Sequence, residues 1–99
     1  MSLLAAFLFL NTLSLRAQTA GSMEEVQLLF DQGNFVAALS KSDALLATDT
    51  NNANILLLSG RIRMAMKDIK GAEFDLEKAV SIDQNNAEAL LNHGIVLFL

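Results

Sequence analysis

Asn51-Asn52-Ala53-Asn54-Ile55-Leu56-Leu57-Leu58-Ser59-Gly60, written over Asn85-Asn86-Ala87-Glu88-Ala89-Leu90-Leu91-Asn92-His93-Gly94, agrees at six of ten positions with an offset of 34 residues. The register extends outward from this pair: at the same spacing Asp83 falls on Asp49, and Ala72 falls on Ala38. A period of this length marks a stack of like supersecondary units, because each unit carries an apolar face that only a neighbour can cover.

Within the unit the periodicity is helical. Leu56, Ile69, Leu76, Val80 and Ile82 recur at spacings that place them on one apolar stripe. Gly60, Ala72 and Ala79 interrupt the large side chains where two helices must approach closely, since a small residue removes the obstacle between backbones. Asp49-Thr50-Asn51-Asn52 and Asp83-Gln84-Asn85-Asn86 are residues that cap helices and tolerate turns, so they end one helix and begin the next. The pattern predicts helices over 22–32, 35–47, 53–66, 69–82 and from 87, with turns at Gly33-Asn34 and Lys67-Asp68.

This arrangement resembles the tetratricopeptide repeat, a helix-turn-helix unit with a fixed pattern of large and small slots. In the middle copy Leu56 takes the Trp slot, Gly60 the Gly slot, Ile69 the second aromatic slot, Ala72 and Ala79 the small slots and Leu76 the Phe slot. Ser59 and Arg63 replace the usual Leu and Tyr, and Gln84 stands where Pro is expected. In the first copy Ser22 and Val26 take the Trp and Gly slots, while Gly33-Asn34-Phe35 and Ala38 keep the inter-helix turn. The resemblance implies an all-α fold, a right-handed α-α superhelix of about two and a half repeats: roughly 19–52, 53–86 and a partial 87–99. Leu56, Gly60, Ala72, Leu76, Ala79, Leu90 and Gly94 are then repeat-packing residues.

Composition agrees. The chain has 99 residues, enough for one domain, with no Pro, Trp, Tyr or Cys and five Gly, which excludes turn-rich sandwiches and barrels and any disulfide or thiol chemistry. A net charge of −4 with a single His lacks the basic footprint of a nucleic-acid binder.

Residues 1–20 differ from the rest. They hold one charge, Arg16, whereas residues 21–99 hold 6 basic and 11 acidic side chains. Leu3 to Leu10 is an unbroken apolar run which, with Leu13 and Leu15, reaches about 13 residues, short of the roughly 20 that cross a bilayer. Such a core followed by Ser14, Ala17, Thr19 and Ala20 predicts an export signal or hydrophobic leader, cleaved after Ala17 or Ala20. The expected location is periplasmic or extracellular, with an anchor in the membrane through residues 1–20 as the alternative.

No pattern of reactive residues points to catalysis. His93 has no nucleophile placed by sequence beside it and reads as a packing variant of the Leu slot. Asp49-Thr50-Asn51 and Asp83-Gln84-Asn85 open like calcium loops, but Ala53 and Ala87 fall on the third ligand position and Gly60 and Gly94 on the closing one. Glu73, Asp75 and Glu77 read as a solvated helix face. No metal, cofactor or enzyme activity is expected.

A surface remains. In the family the first helix of each repeat lines a concave groove, and position matching puts Met23, Gln27 and Phe30, then Asn54, Leu57, Arg61 and Met64, then Glu88, Leu91, Ile95 and Phe98 on it. At the positions where chaperone-tail binders carry a clamp of Lys, Asn and Arg, this chain has Met23, Gln27, Leu58, Glu88 and Asn92, so that clamp is absent. The expected function is a scaffold module that binds a partner's peptide or helix, although Leu57, Leu91 and Ile95 equally suit packing on an adjoining helix. Two other readings are the sensory part of a larger receptor or kinase, and a structural protein that self-associates through its apolar residues 87–99.

Overall fold

The computed structural model describes residues 22–99. The expected leader, residues 1–20, lies outside them. The described residues form five helices: α1 (Ser22–Asp31), α2 (Phe35–Thr48), α3 (Ala53–Ala65), α4 (Ile69–Ile82) and α5 (Ala87–Val96). They build a tetratricopeptide-like helical repeat fold in which α1–α2 and α3–α4 are successive hairpins and α5 opens a further unit. None of the five is long and apolar enough to cross a membrane.

The helix starts follow from side-chain caps. Asn52 Oδ1 accepts from the N–H groups of Asn54 and Ile55 at 3.0 and 3.2 Å. Asn86, its counterpart one period later, accepts from the Ala89 N–H at 3.0 Å, and Asp68 accepts from Gly71 at 3.1 Å. Each satisfies a backbone donor that the first turn leaves without a partner. The hairpin turns also repeat. Gly33 has φ +77° and Lys67, one period on, has φ +67°. Next to them the Asn34 N–H donates to Leu29 O at 2.8 Å and the Asp68 N–H to Arg63 O at 2.9 Å, closing the preceding helix.

The core runs in two clusters joined by α3. One holds Leu56, Leu57, Ala72, Leu76, Ala79, Ala89 and Val96; the other holds Val26, Ala38, Leu58 and Ile62. Burial of each large side chain among them stabilises the fold by about 1.5–3 kcal/mol. The slots assigned to Leu56, Gly60, Ala72, Leu76 and Ala79 are all buried, and a Cβ built on Gly60 would lie 2.7 Å from Leu76 Cγ. Small residues let α4 settle on α3.

Three expectations are corrected. Asp75 is buried rather than solvated: Ser59 Oγ donates to its Oδ2 at 2.7 Å and Arg63 Nε to the same oxygen at 3.0 Å. Arg63 Nη1 also donates to Asp68 Oδ2 at 2.8 Å. The two residues that depart from the family pattern, Ser59 and Arg63, thus join α3 to α4 through one carboxylate. Burial alone would lower the Arg63 pKa, but hydrogen bonding to Asp68 and the charge of Asp75 outweigh it and hold the guanidinium above its ordinary value.

Leu90 and Gly94, expected at helix contacts, do not make them. Leu90 is 47% exposed and a Cβ on Gly94 would meet nothing within 4 Å. The physical reason is that no described helix packs on that side of α5, which contacts α3 and α4 through the side bearing Ala89 and Val96.

Candidate interaction groove

The first helices of successive units, α1, α3 and α5, lie side by side, with α3 touching both others. Between them is a depression of about 120 Å³ lined by Met23, Gln27, Asn54, Leu57, Leu58, Arg61 and Glu88. It draws on all three units. Met23, Gln27 and Leu58 also line an adjoining hollow that reaches Glu24, so the two form one cleft along α1 and α3.

Arg61 stands at the centre. Its guanidinium carbon lies 5.1 Å from the centroid of the Phe30 ring, which itself packs at a tilt on Phe35 with centroids 5.6 Å apart. Its Nη1 reaches Glu88 Oε1 at 3.5 Å. A cation held over a ring face and leaned on by a carboxylate is fixed in position while part of its surface stays open to a ligand. Gln27 Nε2 donates to Asp31 at 2.8 Å, which orients that amide, and Asn86 Nδ2 approaches Asn54 Oδ1 at 3.5 Å.

Of the residues expected on the groove, Asn54, Arg61 and Glu88 come together at its rim. Leu57 is only 6% exposed and forms part of the floor of the depression. Met64 turns away and packs against the core cluster of Leu56 and Leu76. Leu91 and Ile95 are exposed but do not line the depression; Leu91 sits roughly 160° around the helix from the packed Ala89. Leu58 is a lining residue that groove phasing missed, since its side chain is shared between the core around Val26 and the cleft. The signal was present: Leu58 occupies one of the clamp positions of the resemblance.

The groove joins an apolar floor of Met23, Leu57 and Leu58 to a rim of amide, guanidinium and carboxylate groups. That combination can seat an apolar side chain and hydrogen-bond the chain that carries it. Among the described residues no group of three His, Asp or Glu is placed to hold a metal ion.

Helical repeats of this class generally serve as modules that bind other proteins. The sequence profile of the tetratricopeptide repeat matches residues 29–92, more than half of the chain. The chain belongs to that family, whose repeats are typically non-catalytic interaction modules. No curated protein and no solved structure matches the chain.

Proposed function

We propose that the cleft between α1, α3 and α5 binds a peptide or helix of a partner protein without catalysing any reaction. An apolar side chain of the ligand rests on Met23, Leu57 and Leu58, and its polar groups meet Asn54, Arg61 and Glu88. The observation that carries this reading is Arg61, stacked over Phe30 within a depression that three repeat units build together.

The test is selection of peptides from a displayed library on the immobilised chain. Peptides bound at the cleft lose binding to Met23→Glu and to Arg61→Glu, and keep it for Phe74→Glu on the exposed side of α4. Equal binding to all three variants moves the site elsewhere. Export is part of the same proposal, supported by the apolar residues 3–10 of the leader. Intact mass of protein from a secreting host then begins near Gln18 or Gly21, and an unprocessed Met1 overturns export by cleavage.

A further inference from the structure

Two arginines of α3 are almost equally buried, with side chains 30% exposed at Arg61 and 27% at Arg63, yet they are bonded very differently. Arg63 donates to Asp68 at 2.8 Å and to Asp75 at 3.0 Å. Arg61 reaches only Glu88, at 3.5 Å from Nη1. Charge-assisted bonds from a guanidinium to a carboxylate run at about 2.7–2.9 Å, so the Glu88 contact stands at the outer limit of a hydrogen bond. The other N–H groups of the Arg61 fork have no acceptor among the described residues. Phe30, 5.1 Å from the guanidinium carbon, holds the cation in place and offsets part of its lost hydration, but a ring face does not fill the fork.

Glu88 is placed to give way. It stands in the first turn of α5, where the helix N-terminus favours a carboxylate with or without Arg61. Its side chain is 57% exposed, so it can turn outward without being buried anew. Asn54, two turns before Arg61 on α3, lines the same depression, and its Nδ2 has no acceptor among the described residues. The other carboxylate of the cleft, Glu24, borders the adjoining hollow and does not line the depression. The depression therefore holds one oriented cation with unfilled donors, beside an amide that can add another.

We propose that the partner segment bound in the cleft carries an aspartate or glutamate side chain whose carboxylate displaces Glu88 and fills the Arg61 fork. A neighbouring apolar side chain of the ligand rests on Met23 and Leu58. This names the ligand chemistry of the cleft and rests on the cleft reading above. The carboxylate belongs to a side chain and not to a chain end. The positions that would gather donors around a chain end hold Met23, Gln27, Leu58, Glu88 and Asn92, with no cation among them, whereas a side-chain carboxylate needs one bidentate arginine. The net charge of −4 does not oppose this, because charges farther off than about 8 Å are screened at physiological salt.

The probe is an array of random peptides with amidated C-termini, exposed to the full chain and to its Met23→Glu variant. Peptides that lose binding to Met23→Glu are cleft ligands, and Asp or Glu is expected to be enriched in them at one position. Changing that acid to its amide should weaken binding to the wild type roughly tenfold. With Arg61→Gln the same change should cost less than about twofold, since the group it pairs with is gone. Glu88→Gln removes the competitor and should tighten the acidic peptide about threefold, while Phe74→Glu leaves it unchanged. Cleft ligands without acid enrichment, an acid preference that survives Arg61→Gln, or weaker binding of the acidic peptide to Glu88→Gln overturns the proposal and leaves the cleft in place. Cleft ligands that appear only when the C-termini are free assign the carboxylate to a chain end and overturn it as well. An array with no peptide sensitive to Met23→Glu overturns the cleft itself.

Discussion

Leu76 stands over Gly60 so closely that a Cβ on the glycine would lie 2.7 Å from Leu76 Cγ. One period earlier the same two places hold Val26 and Ser42, both fully buried. The large residue has moved from the second helix of the hairpin to the first, and the small one has moved the other way. Each hairpin fills the slot once, because an interior at crystalline packing density has room for one branched side chain there and not two.

Separately, Gly60→Val overpacks the slot and Leu76→Ser empties it. The first is expected to lower stability by about 1–3 kcal/mol, and the second by about 2–5 kcal/mol. Together they transplant the arrangement of the first hairpin into the second. The double variant should lose at least 1 kcal/mol less than the two single losses added, a coupling within the range for residues in contact. Denaturant unfolding of the four proteins measures it, and strict additivity would show that the two side chains do not share a slot.

The exchange leaves a trace at Ser42, whose buried hydroxyl has no hydrogen-bond partner among the described residues. A buried polar group without a partner keeps its desolvation penalty. Ser42→Ala retains the small volume and removes the hydroxyl, so it should raise stability by about 1 kcal/mol. For a domain of this size that is a rise in Tm of roughly 4–8 °C. An unchanged or lower Tm would mean that the hydroxyl is satisfied in solution.

Asp68 links stability to pH. The hydrogen bond from the Gly71 N–H, and then that from Arg63, hold its carboxyl below the usual carboxylate range. The folded state therefore binds this proton less readily than the unfolded chain, whose carboxyl titrates near pH 4. The stability it contributes is present above that pH and is lost as pH falls through the folded pKa. Asp68→Asn keeps an oxygen to cap α4 but cannot ionise. Wild type should exceed the variant in denaturant midpoint near neutrality, with the gap narrowing below about pH 4. A gap that stays constant down to pH 2 would place the effect in the cap geometry instead of the charge.

The helices and their phase are legible because each depends on residues close in sequence. Gly60 and Ala72 announce close approach, and Asn52 and Asn86 announce helix starts, without reference to anything distant. Asp75 was hidden because its neighbours Glu73 and Glu77 suggest a wet face. Its true environment is set by Ser59 and Arg63 on the preceding helix, and only the crossing of α3 with α4 brings those together. At the groove, position matching to the resembled repeat selected Asn54, Arg61 and Glu88 along with Met64, Leu91 and Ile95, which do not line it, whereas the stacking of Arg61 on Phe30 depends on how α1 is tilted against α3. Leu90 and Gly94 show a different limit. Their pattern repeats that of Leu56 and Gly60, but burial belongs to a pair of surfaces and the pattern describes only one of them.

Gly33 and Lys67 offer a final test, since they occupy the same place in their respective turns with φ of +77° and +67°. Left-handed backbone is free for glycine and unfavourable by about 1–2 kcal/mol for a residue with a Cβ. Lys67→Gly relieves that strain but loosens the unfolded chain, which takes back about 0.4–1 kcal/mol. The expected net gain is about 0.5 kcal/mol, a rise in Tm of roughly 2–4 °C. Gly33→Lys should lose a similar amount, although a Cβ at Gly33 would meet no atom within 4 Å. Opposite signs for the two substitutions would attribute the effect to backbone conformation, because no described atom crowds a Cβ at Gly33. If both substitutions lower Tm, the lysine side chain itself contributes at the second turn and strain at φ is not the dominant effect.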